Sequence, residues 1–143
     1  MAMNELAWLV GHRFQLLTRR EYDWVVALDN DASIVVACLW RLVKSDRIRI
    51  TSEDEGQKFC LPESVEAAAE INRHLTGAAV EAIELRSGLL DLELRFSTGH
   101  SLQIIPDSSG YEAWNVCCGN RQFIAVGGGE LVVFGGAIDA GSS

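Results

Sequence analysis

The chain has 143 residues, 48% of them apolar, and a formal net charge of −8. That length fits one domain and is short for two, and the apolar share supplies a core without staples and excludes a disordered chain. A chain this acidic is a poor match for phosphate backbones, which need clustered Lys and Arg, and a better match for a basic partner.

The charge is uneven. Seven bases against nine acids through Gly56 leave −2, and the remaining −6 lies beyond it. The opening MAMNELAWLVGHRF has no basic region followed by a long apolar stretch, and no apolar run reaches membrane-spanning length. The cytoplasm is therefore the expected compartment. In a reducing compartment Cys38, Cys60, Cys117 and Cys118 are expected to be free thiols.

In chain order, the first half reads as strands over Arg13 to Thr18, Asp23 to Leu28, Ser33 to Trp40 and Arg47 to Thr51. The spacing then predicts a helix over 62–75. Pro62 suits a first helical position, Val65, Ala68, Ala69, Asn72 and Leu75 form one face, and Gly77 follows as a left-handed cap. The second half reads as strands over Ala79 to Leu85, Leu89 to Phe96, Ser101 to Ile105, Tyr111 to Cys117, Gln122 to Val126 and Glu130 to Phe134. Turn residues separate them, as at Asp29-Asn30-Asp31 and Gly127-Gly128-Gly129. The tail after Phe134 is small and polar enough to fray.

Leu9-Val10-Gly11 recurs as Leu75-Thr76-Gly77, 66 residues on, and Trp24 to Leu28 aligns with Leu92 to Phe96 at an offset of 68. The expected fold is one α+β domain: two antiparallel β-meander halves, about 6–56 and 75–134, with the helix between them.

No residue set carries catalytic spacing. His12, His74 and His100 are scattered, with no HExxH, CxxC or HxH pattern, and there is no GxSxG elbow. The glycines at 127–129 lead into Glu130 and a strand. A phosphate loop would need Lys, Ser or Thr and a helix there, so a tight turn explains them. No catalytic residue, cofactor or metal ligand is expected. The candidate protein-binding residues are Asp29, Asp31, Glu53, Asp54, Glu55, Glu112, Trp114 and Glu130: acidic turns, and one Trp beside a carboxylate on a strand face.

In the second half, the hairpin LDLELRFSTGHSLQI is followed by Tyr111-Glu112-Ala113-Trp114 and by a glycine-rich turn into Gly129-Glu130-Leu131. This order resembles small bacterial domains of unknown function with an F-x-(D/N)-G-x-x-L hairpin, a YExW strand and a GGE turn, domains similar to polymorphic-toxin immunity proteins. The resemblance covers Leu75 to Phe134, and Ser97-Thr98 departs from it. It implies a small cytosolic binding protein, at its sharpest one that neutralises a toxin, with no catalytic residues to carry over.

Three readings follow. The first is a binding protein that covers a basic toxin domain with carboxylates imitating phosphate. The second is a structural module that pairs with itself as a homodimer through exposed strand edges. The third is an enzyme or small-ligand binder with a pocket between the halves. Nucleic acid and membrane are not expected partners.

Overall fold

The computed structural model describes residues 5–135. The expected fraying falls mostly on 136–143, outside the described residues.

Eleven strands form two antiparallel sheets. The strands are β1 (Phe14–Arg19), β2 (Trp24–Leu28), β3 (Ala32–Val36), β4 (Leu39–Lys44), β5 (Arg47–Thr51), β6 (Val80–Leu85), β7 (Leu92–Phe96), β8 (Ser101–Ile105), β9 (Trp114–Cys118), β10 (Arg121–Val126) and β11 (Glu130–Phe134). The first sheet has the order β1-β2-β3-β9-β10-β11 and the second β5-β4-β8-β7-β6. One helix, α1 (Ala67–Leu75), and two one-turn 3-10 helices, Ala7–Leu9 and Ser52–Asp54, complete the described elements.

The fold is a β-sandwich-like arrangement, not the expected α+β domain. The halves do not form separate meanders either. Each gives strands to both sheets, because β3 pairs with β9 and β4 with β8. The stretch read as one strand from Ser33 to Trp40 is two: the chain leaves the first sheet after Val36 and enters the second at Leu39. The Ala37 N–H still donates to the Ala113 carbonyl at that crossing.

The helix starts at Ala67, five residues later than Pro62. Val65 cannot join it, because its N–H donates to Gln57 and its carbonyl accepts from Gly56. Its buried face is Ala67, Ile71 and Leu75, one residue per turn or so. Asn72 faces β1 instead. Its side chain accepts from the Leu17 N–H at 2.7 Å and donates to the Leu17 carbonyl at 3.1 Å, which occupies both backbone groups of that one residue on an edge strand.

The pairing in one half corresponds to that in the other. In β1–β2 Phe14 faces Leu28 with a bulge before Leu16, and in β6–β7 Val80 faces Phe96 with a bulge before Ala82. Trp114 of β9 faces Val36 of β3, and Trp40 of β4 faces Ile104 of β8. Gly11 donates to Val80 while Gly77 donates to Phe14, and Phe14 donates to Ala78 while Val80 donates to His12. β11 has no counterpart in the other half.

Inward residues from both sheets meet in one core that includes Trp40, Trp114, Phe14, Phe96 and Phe123. Rings meet edge to face at Trp24–Trp40, 5.1 Å, and Phe14–Phe96, 5.9 Å. The outward faces differ. The second sheet carries the rung Arg41–Gln103–Glu93–Glu84. The first carries Thr18–Val25–Val35–Asn115–Ile124–Val132, which is largely apolar.

Candidate protein-docking site

The densest group of predicted acids follows β5. Thr51 and Asp54 form a capping box: the Glu53 N–H donates to the Thr51 hydroxyl, and the Thr51 N–H donates to the Asp54 carboxylate at 3.0 Å. Glu55 accepts from the Ala67 N–H at 2.8 Å and so marks the start of α1. Asp54 and Glu55 therefore hold the segment's shape, and Glu53 stays exposed.

Two backbone bonds, Gly56 N–H to Val65 and Val65 N–H to Gln57, close the intervening loop at its base. At its tip Phe59 and Cys60 have φ of 46° and 64°. Two successive non-glycine residues in the left-handed region cost about 1–2 kcal/mol each. The result is that Phe59 and Leu61 project into solvent, 61% and 56% exposed. They border an open hollow of about 670 Å³ whose lining also includes Arg49, Asp54, Glu66 and Ala69. From Ser52 to Glu70 the chain has six acids and one base. Glu70 is paired with Arg73 and lies 3.9 Å from His74.

The other predicted residues lie elsewhere. Asp29 and Asp31 sit in the β2–β3 turn, where Asn30 and Asp31 take left-handed φ, and Asp29 accepts from the Arg13 N–H at 2.9 Å. Glu112, just before β9, is at the opposite end of the same sheet. It lines a hollow of about 420 Å³ with Asp23 and Asp107. Asp23 is held below its usual range by its hydrogen bonds to the Arg20 guanidinium. Glu130 opens β11. Trp114 is 1% exposed and donates from Nε1 to the Leu90 carbonyl at 2.9 Å, so it belongs to the core. Sequence reasoning passed over Phe59 and Leu61. Their one signal was an apolar Phe-Cys-Leu run in an otherwise polar stretch before Pro62.

All four cysteines are free thiols. Burial pushes Cys38 up to about 12, with Asp107 adding to it, so this thiol stays protonated at neutral pH. Burial raises Cys117 as well. No group of three or more His, Cys, Asp and Glu side chains converges among the described residues.

The model of the family described as "Family of unknown function (DUF6188)" matches residues 6–135. The chain belongs to the DUF6188 family. No curated protein and no solved structure matches the DUF6188 chain. No helix among its described residues is long and apolar enough to cross a membrane.

His100 is the one buried polar or charged residue in the DUF6188 core region as described. Its Nδ1 lies 2.8 Å from the Thr98 hydroxyl, and its ring is 5.2 Å from that of His74 on α1. Burial lowers its pKa, and Lys44, His74 and Arg49 lower it further. The folded chain therefore disfavours the imidazolium. Stability from this group is full above the unfolded value near 6.5 and is lost as pH falls through the folded one. Urea melts from pH 7.5 to 5 are expected to show this decline, and H100Q to flatten it.

Proposed function

We propose that this DUF6188 chain is a non-catalytic protein-binding module that docks a basic protein on the segment between β5 and α1. The observation that carries the reading is the exposed pair Phe59 and Leu61, held out by left-handed backbone at Phe59 and Cys60 among carboxylates. An apolar anchor surrounded by a charged rim is how protein interfaces concentrate affinity, and the acidic rim selects a basic face. Glu53, Glu63 and Glu66 are exposed and supply that rim. In its sharpest form the partner is a basic toxin domain, and the chain is an immunity protein that covers the toxin's active surface.

The test is binding to the product of the adjacent gene at low and moderate salt. The native chain is expected to bind, and more weakly as salt rises. F59S/L61S is expected to lose at least tenfold in affinity, since a buried aromatic anchor is worth about 2 kcal/mol or more. Its unfolding midpoint should match the native one, because both side chains are already exposed. Native-like affinity in F59S/L61S would remove the loop from the interface.

A further inference from the structure

Among the described edge strands, β11 is the one with no side-chain plug and no charge beyond its first residue, Glu130. β1 is plugged at its middle, at Leu17, by Asn72 on α1. β5 carries Arg47 and Arg49, and β6 carries Glu81 and Glu84, charges of the kind that guard an edge against added strands. β11 reads Glu-Leu-Val-Val-Phe, with Val133 46% and Phe134 54% exposed. It is also the extra strand, the addition that gives the first sheet six strands against five.

We propose that β11 pairs antiparallel with β11 of a second copy, about a two-fold axis at Val132. The strand is complementary to itself in that arrangement. Val132 faces its twin, Leu131 faces Val133, and Glu130 faces Phe134, so the two carboxylates lie at opposite ends of the paired strands. No like charges meet. On the outward face Val132 continues the rung through Ile124, and a second copy doubles that apolar stripe across the axis. An isologous contact of this kind closes at two copies, so the edge is used up instead of growing a fibre.

The experiment is sedimentation equilibrium of the full chain from low micromolar to near-millimolar concentration. The expected mass rises from 15.7 kDa toward twice that value. V132K and V133K, one on each face of the strand, are expected to stay monomeric while unfolding at the native midpoint when dilute. In a C60S background, V132C is expected to form an intermolecular disulfide under mild oxidation much faster than T98C, because residues directly opposite in a ladder are within bridging distance. A native chain that stays monomeric throughout overturns the proposal. So does a dimer that survives both lysine variants, or equal cross-linking of V132C and T98C. The F59S/L61S chain should dimerise normally, which separates this contact from the docking loop.

Discussion

Gly129→Ala is expected to cost about 3 kcal/mol or more, with the full loss visible in urea unfolding at neutral pH. Gly129 immediately precedes β11 with φ +98°, and a Cβ built there would fall inside the Gly88 carbonyl oxygen of the β6–β7 turn. Backbone meets backbone at this point, so no side chain can swing aside. Gly128 is the control. Its φ is +87°, yet the nearest atom to its Cβ is the Ser109 carbonyl oxygen at 3.6 Å, an ordinary contact. Gly128→Ala should cost only the left-handed backbone, about 1–2 kcal/mol. The difference between the two variants measures the close approach alone. Equal costs would mean that the β10–β11 turn does not rest on the β6–β7 turn.

Trp114→Phe is expected to destabilise by about 1–3 kcal/mol more than Trp40→Phe, although the two indoles occupy corresponding places and both are buried. Trp114 Nε1 donates to the Leu90 carbonyl. Leu90 itself has φ 64°, an unfavourable conformation that this bond and its own N–H bond to Arg86 at 2.7 Å help to hold. Phenylalanine at 114 leaves a buried carbonyl without its donor and loosens that turn. Trp40 Nε1 finds no acceptor among the described residues, so Trp40→Phe loses packing volume and an unpartnered polar group together. The reason lies in the turns: Trp24 follows Arg19 sooner than Leu92 follows Leu85, and no carbonyl corresponding to that of Leu90 reaches Trp40. Equal unfolding free energies for the two variants would count against the Leu90 bond as a source of stability.

Local patterning carried much of the strand inventory. β5, β8 and β11 begin and end where alternation and turn residues put them, since those signals act over a few residues. Two features were hidden for the same reason. The break at Ala37–Cys38 has no proline or glycine. It exists because Trp40 must reach the second sheet, and that partition depends on pairing with residues some sixty to eighty positions away. The helix start was misplaced because the Ala67 N–H is capped by Glu55, twelve residues earlier, and not by a neighbour. The candidate docking site was legible in part. The acids Glu53, Asp54 and Glu55 stand out in the sequence, but the division between capping and display is tertiary. Left-handed φ at Phe59 and Cys60 is invisible to propensity, which assigns such conformations to glycine and asparagine.

The shared strands also set when this chain can fold. The first three strands gain their inner neighbour only when Trp114 to Cys118 arrive, so a nascent chain still lacking that segment holds an incomplete sheet. Pairings across such sequence distances place a protein among the slow, millisecond-to-second folders. Translation adds roughly 5–20 residues per second, so the first meander waits for several seconds with an open edge at β3. The β3 edge is therefore exposed to wrong pairing in that interval, which closes once Trp114 to Cys118 can reach it.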